Sequence, residues 1–193
     1  MHRMFVSQGL VLGKRGAGES NTLLSVLTSE LGLVRVSARS TRLEVSKLRY
    51  GLEALTEARF SFVRGRHDWK LTGVERISRE YVASSARRRQ QSGKVARLLV
   101  RLIPGEDPVP GLYEAVTEGF HTLAQVTDDQ DAEAVEWVLV LRILDRLGYL
   151  PERPPLGPFL SQPLASQAVI AEARASRQLL IRSINESLSA TGL

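Results

Sequence analysis

The segment Leu31-Gly-Leu-Val-Arg-Val-Ser-Ala-Arg-Ser-Thr-Arg-Leu-Glu-Val-Ser-Lys-Leu-Arg49 changes character at its middle. In its first half Val34, Val36 and Ala38 alternate with Arg35, Ser37 and Arg39. That period of two is the mark of a half-buried strand with a core face and a cationic face. The second half keeps its cations, Arg42, Lys47 and Arg49, but loses the alternation, as a solvated loop does. A basic strand and loop set between further strand patterns point to a small β domain with a surface for polyanions, of which nucleic acid is the commonest.

Upstream, residues 4–15 read as a first strand, Gly16-Ala-Gly18 as a turn, and residues 21–28 as a second strand. Ser29-Glu-Leu-Gly32 turns the chain into the basic strand at 33–40, with Gly32 expected at positive φ. Downstream of the 41–51 loop, residues 55–64 place Ala58, Phe60 and Phe62 on one face and Arg59 and Ser61 on the other. Arg64–Asp68 reads as a hairpin turn, and Trp69–Ile77 as a fifth strand with Lys70, Thr72 and Arg76 on its polar side. Five short strands with Gly-rich turns fit a closed or partly closed barrel. The OB-fold is the five-stranded form whose face and loops bind nucleic acid, and an SH3-like barrel is the alternative.

From about residue 79 the period changes to 3.6. The polar stretch 84–93 reads as a helix end or a connection, and Lys94–Ile103 as an amphipathic helix stopped by Pro104 to Pro110. Helical spacing recurs over 111–126. A third helix over 131–148 is apolar nearly all round, as the buried centre of a bundle is. Asp128, Asp129 and Asp131 stand at its start, where a cap and acidic side chains are favoured, and Gly148 at its end. The five prolines within 149–163 exclude regular structure there, and residues 165–189 read as one final helix. The expected fold is therefore α+β: an OB-fold barrel over residues 1–79, then an all-α helical domain over 80–193. No internal repeat is present.

With 193 residues and 43% apolar content the chain can bury real cores. It has no cysteine, no signal-peptide apolar core and no long uncharged apolar run, which leads us to expect a soluble cytoplasmic protein. The net charge of +5 hides a division. Residues 1–103 hold 20 Lys and Arg against 8 Asp and Glu, a net of +12; residues 104–193 hold 6 against 13, a net of −7. Such segregation points to one surface for phosphates and a second half with other work.

Catalytic patterns do not assemble. Gly9 and Gly13-Lys14 have the wrong spacing for a phosphate-binding loop, and Arg15 stands where Ser or Thr must contact magnesium. His2, His67 and His121 are scattered, without a ligand partner at i+3 or i+4. Ser20 lacks a nucleophile elbow. The reading is of a non-enzyme with no cofactor, no metal and no small-molecule substrate.

What remains is basic. The candidate nucleic-acid-binding residues are Lys14, Arg15, Arg35, Arg39, Arg42, Lys47, Arg49, Arg64, Arg66 and Lys70 in the barrel, with Arg88 and Lys94 beyond it. Dispersed cations suit phosphate contacts, which carry affinity without base specificity, so single and double strands should both bind. Phe5, Tyr50 and Trp69 are the exposed-aromatic candidates for stacking bases, while Phe60 and Phe62 read as core. Arg35 and Arg39 could instead pair with Glu30, Glu44 or Glu57 at the surface.

Several motifs occur together in one order. They are Gly18-Glu-Ser-Asn-Thr-Leu-Leu-Ser-Val-Leu-Thr-Ser-Glu-Leu-Gly-Leu-Val-Arg-Val-Ser-Ala-Arg39, Leu52-Glu-Ala-Leu-Thr56, Arg64-Gly-Arg66 and Leu141-Arg-Ile-Leu-Asp-Arg-Leu-Gly-Tyr-Leu-Pro151. Together they resemble the RecO family of bacterial recombination mediators. The resemblance implies an OB-fold followed by a helical domain, DNA binding, strand annealing, and help in loading recombinase onto DNA coated by single-stranded-DNA-binding protein. It also implies the partners of that RecF-pathway family: RecR, and the acidic, Phe-ended C-terminal tail of the coating protein, in the nucleoid-associated cytoplasm.

Many members carry a four-cysteine zinc module after the Leu-Gly-Tyr-x-Pro motif, where this chain has Glu152-Arg-Pro-Pro-Leu-Gly-Pro-Phe-Leu-Ser161. An acidic helical half is not an obvious dock for an acidic tail, so that contact needs a local basic pocket, for which Arg97, Arg101, Arg142 and Arg146 are the candidates. The competing readings are a protein-interaction adaptor and an RNA-binding OB-fold protein.

Overall fold

Strand β1 (Met4–Ala17) serves two neighbours along different parts of its length. The computed structural model describes residues 4–17, 21–39, 52–65, 69–151 and 154–192. Met4–Leu10 pair antiparallel with β4 (Glu57–Arg64), and Gly9–Ala17 pair antiparallel with β2 (Asn21–Thr28). Gly9 sits where both pairings overlap. A Cβ there would lie 2.8 Å from Val26 Cγ1 and 3.0 Å from Phe60 Cδ2, so the absence of a side chain lets the barrel wall close. Between Val11 and Gly13 the register slips, leaving Leu12 as the extra residue of a bulge.

β2 hairpins into β3 (Gly32–Arg39). Gly32 adopts φ +67°, as the turn requires, and Thr28 Oγ1 both donates to the Gly32 carbonyl and accepts from the Leu31 N–H at 2.9 Å. β4 pairs antiparallel with β5 (Trp69–Ser78), and β5 returns parallel to β3 through Val36 opposite Trp69 and Ser37 opposite Lys70. The order β1-β2-β3-β5-β4 closes on itself, the five-stranded barrel expected from the strand patterns. Its interior holds Val11, Leu24, Val26, Val34, Val36, Ala38, Ala58, Phe60 and Phe62, the inward members of each alternating strand.

Trp69 corrects the reading of it as an exposed platform. It is 4% exposed, in edge-on contact with Phe5 at 5.1 Å and Phe62 at 6.1 Å between ring centroids. Strand pairing with Val36 turns its ring inward, and Phe5 is half-buried beside it. Tyr50 lies outside the described residues.

The helices are α1 (Glu80–Ala83), α2 (Ala86–Leu102), α3 (Leu112–Gln125), α4 (Asp129–Arg146), α5 (Gly157–Ser161), α6 (Gln167–Ala175) and α7 (Arg177–Ala190). The chain forms two compact units, Met1–Ala83 with Ala96–Pro108, and Ser84–Val95 with Val109–Leu193. α2 gives its first turns to the helical unit and its last to the barrel unit, and from Ala86 onward the polar 84–93 stretch is its beginning.

In the helical unit α4 is the central element, packed against α3, α5, α6 and α7. Gly119 brings α3 close to it: a Cβ there would lie 2.4 Å from Leu139 Cδ1. Asp128 caps α4 by accepting the Asp131 N–H at 2.9 Å, and that bond holds its carboxyl below the ordinary range. Gly148, at φ +75°, ends the helix with Gly148 N–H to Asp145 O at 2.9 Å and Tyr149 N–H to Leu144 O at 2.8 Å.

Two expectations are overturned. The proline-rich segment contains a 3₁₀ turn at Pro154–Leu156 and then α5, because Pro158 falls in the first turn, where a missing N–H costs nothing. The final helix is two helices, parted at Ser176 by a backbone kink (φ −93°, ψ 17°).

Gly32 is a point on which barrel stability can be tested. A methyl there would meet the Asp107 carbonyl oxygen at 2.6 Å as well as a left-handed backbone. Gly32→Ala should therefore cost the barrel at least ~1–2 kcal/mol, the penalty of left-handed backbone alone. Urea unfolding followed by Trp69 fluorescence in a Trp137→Phe background measures it, and an unchanged midpoint would contradict the account.

Candidate nucleic-acid interface

The β1 bulge decides what the outer wall of the barrel presents. Past Leu12 the strand delivers Gly13, Lys14 and Arg15 to the rim of a groove of about 450 Å³ in the barrel unit. Across the sheet, Gly13 stands opposite Ser25 and Ser25 opposite Arg35, while Arg15 stands opposite Leu23. These outward positions of β1, β2 and β3 line one side. The other side is the end of α2, where Arg97, Val100 and Arg101 fall at i, i+3 and i+4 on one face, while Leu99 and Leu102 are buried.

Five cations thus converge on one cleft, and no carboxylate lines it among the described residues. All five are exposed, and none takes part in an ion pair among the described residues. Leu12, Leu23 and Val100 make its apolar floor. Arg97 and Arg101, expected to serve a protein partner, stand here beside three of the cations expected to meet DNA.

Elsewhere the predicted cations are dispersed or occupied. Arg64 is ion-paired with Glu106 and lies 4.8 Å from the Trp69 ring centroid. Lys70 is exposed on β5 opposite Ser37, and Lys94 is exposed on α2 in the helical unit. Arg39 lies in β3 opposite Asn21. Arg42, Lys47, Arg49 and Arg66 lie outside the described residues.

Arg88 is withdrawn from the surface. It is 4% exposed, and its five N–H groups meet Val126 O at 3.0 Å, Gln91 Oε1 at 3.1 Å, Thr127 O at 3.0 Å, Asp128 O at 2.9 Å and Asp129 Oδ1 at 3.0 Å. It pins the α3–α4 turn and has no donor left for a phosphate. Periodicity alone could not reveal this, because the Arg87-Arg-Arg89 run gives all three residues the same chemical signature. Behind it Gln91 also bonds Glu136, whose carboxyl burial pushes above the ordinary range against that bond.

Arg142 is likewise internal. It donates through Nε to Phe159 O at 2.8 Å, through Nη1 to Glu118 Oε2 at 3.0 Å, and through Nη2 to Gln162 O. Burial draws its pKa down, and the Glu118 carboxylate opposes that shift. An acidic tail cannot reach it. Arg146 is exposed, its guanidinium lying over Gly111. Not foreseen from the sequence is a second cleft in the helical unit, also about 450 Å³, where Arg177 lies 5.5 Å from the Trp137 ring centroid and Gln130, Glu133, Arg174 and Ala175 complete the lining. The signal was available: Trp137 sits on a helix that buries most of its other faces.

The fold defines a class, OB-fold barrel proteins with an appended all-α unit. Residues 1–79 match the family described as Recombination protein O N terminal, and residues 94–153 the one described as Recombination protein O C terminal. The chain belongs to the RecO family. Similar proteins include the DNA repair protein RecO of Heliobacterium modesticaldum, 32% identical over 151 residues that cover 78% of this chain and 54% of that protein. Those of Dehalococcoides mccartyi and Syntrophobacter fumaroxidans are 28% and 26% identical over 149 residues, covering 77% and 75% of this chain and 58% and 57% of theirs. The chain spans about half the length of the curated relatives it matches.

Arg142 lies inside the matched region, while the carbonyls it holds at Phe159 and Gln162 lie beyond it. Arg142→Ala should destabilise the helical unit by roughly 3 kcal/mol, because Glu118 and these carbonyls lose a buried partner. Urea unfolding reads the loss. Limited proteolysis should cut first within residues 154–166, and a cleavage pattern like that of the unsubstituted chain would contradict this role.

Proposed function

We propose that this chain is a non-catalytic, DNA-binding recombination mediator. It binds single- and double-stranded DNA with little regard for base sequence, anneals complementary strands, and helps load recombinase onto DNA coated by single-stranded-DNA-binding protein. The observation that carries this reading is the convergence of Lys14, Arg15, Arg35, Arg97 and Arg101, all without carboxylate partners among the described residues, on one groove of an OB-fold barrel. Like charges gathered this closely repel one another, and a polyanion relieves that repulsion while releasing its own counterions. Family membership and the relatives' common name, DNA repair protein, point the same way. RecR and the acidic tail of the coating protein are its proposed partners, in a cytoplasmic setting close to the nucleoid. For the tail, Arg177 over Trp137 replaces the buried Arg142 as the cation beside an apolar surface.

The test is binding of fluorescent single- and double-stranded oligonucleotides across a salt series. Affinity should fall steeply with salt for both, with a log–log slope of about −0.9 per phosphate neutralised on duplex and about −0.7 on single strands. Replacing Arg35, Arg97 and Arg101 together by Ala should flatten the duplex slope by about 2–3. Absence of binding at low salt would overturn the reading.

A further inference from the structure

The groove has a feature that phosphate binding does not use. Its floor is apolar: Leu12 is buried, but Leu23 and Val100 are only half-buried and face the cleft between the cations. Apolar surface left open inside a ring of charge is costly in water and favourable once a flat apolar face covers it. A duplex keeps its bases paired and stacked, so it brings to such a cleft only phosphates and sugars. A single strand can turn a base out.

The rest of the described barrel offers a base no aromatic platform. Phe60, Phe62 and Tyr81 are at most 1% exposed and Trp69 is 4% exposed, while Phe5 packs edge-on against Trp69. Met4 and Ile77 are exposed apolar side chains of this unit but do not line the groove, so an unstacked base lying among its cations finds its apolar contact on Leu23 and Val100. Room is made by Gly13, where an added Cβ would have no atom within 4 Å, and which sits in the bulge that sends Lys14 and Arg15 to the rim. The cleft's volume of about 450 Å³ falls within the few hundred Å³ typical of a small-molecule site.

We infer that the groove is a nucleotide subsite for single-stranded nucleic acid: one unpaired base rests on Leu23 and Val100, and its flanking phosphates meet the surrounding cations. The inference rests on the DNA-binding reading and narrows it. The site distinguishes unpaired from paired strands through an aliphatic floor, and it holds duplex through charge alone.

The experiment compares a short oligothymidylate with a blunt duplex of equal length, by fluorescence anisotropy at low salt and across a salt series. Leu23→Ser with Val100→Ser should weaken single-strand binding about five- to tenfold, the lower end of what one stacked base contributes. Duplex affinity and both salt slopes should stay unchanged, since no cation is lost. Val100→Phe, which enlarges the platform without removing packing, should tighten single-strand binding and leave duplex binding alone. Trp69 fluorescence confirms that each variant keeps its barrel. Equal losses on both oligonucleotides, or no change on either, would overturn the subsite and leave phosphate binding standing. Failure of the unsubstituted chain to bind either oligonucleotide would overturn the subsite and the DNA-binding reading together.

Discussion

Closing a sheet of only five strands obliges one strand to hydrogen-bond to different partners along its length, and here β1 carries that duty. Its backbone groups must all find partners, so the strand runs long: its first part zips onto β4 and its second onto β2. At the change-over the backbone of Val11 is held by Thr56 O at 2.9 Å and by the Leu55 N–H at 2.7 Å. Gly9 permits the close approach and the Leu12 bulge takes up the extra residue. Beyond the bulge β1 pairs only with β2 among the described strands, which leaves Lys14 and Arg15 at a rim that the end of α2 completes. The geometry that closes the barrel is therefore also what gathers the cations.

Counter-charges separate structural arginines from available ones. Arg64 with Glu106, Arg79 with Glu53 and Arg87 with Asp129 are exposed pairs, each contributing at most ~1 kcal/mol. Arg88 and Arg142 are buried, and their donors are taken up by carbonyls and acids of the helical unit. The five groove cations fit neither group. Among the described residues no acid offsets their mutual repulsion, so the groove is a surface of concentrated positive potential.

How much of this could be read from the residues depends on range. The alternation of Val34, Val36 and Ala38, the left-handed Gly32, the Asp128 cap and the Gly148 terminus are local, and local spacing reveals them. The same holds for α4, whose apolar circumference marks it as central. Trp69 was misread because strand register, a pairing over thirty residues away, turns its ring inward. Arg88 was misread because burial depends on the α3–α4 turn, far along the chain. Arg97 and Arg101 were assigned to a different ligand from Lys14, Arg15 and Arg35 because nothing local shows that α2 ends beside β1. A proline count ruled out structure over 149–163, although the position of Pro158 in a first turn is what allows α5 to form.

That proline-rich segment also shows how one charge can organise a chain without metal-binding cysteines. Arg142 offers a flat fork of donors, and the segment bends so that Phe159 O and Gln162 O fall on two of its edges while Glu118 takes a third. The second oxygen of Glu118 accepts the Leu164 N–H at 2.8 Å, which ties the far end of the segment to the same pair. Leu156, Phe159 and Leu164, each at most 1% exposed, seal the site against water. Burying a guanidinium is costly unless its donors are matched, and the carbonyls are matched only in this bent path. The apolar anchors and the buried pair therefore support each other: the leucines and Phe159 exclude water from the guanidinium, and the guanidinium fixes the backbone path that lets them pack. A five-residue helix, too short to form alone, becomes definite because a single side chain of α4 holds one of its carbonyls, Phe159 O, and that of Gln162 just beyond its end.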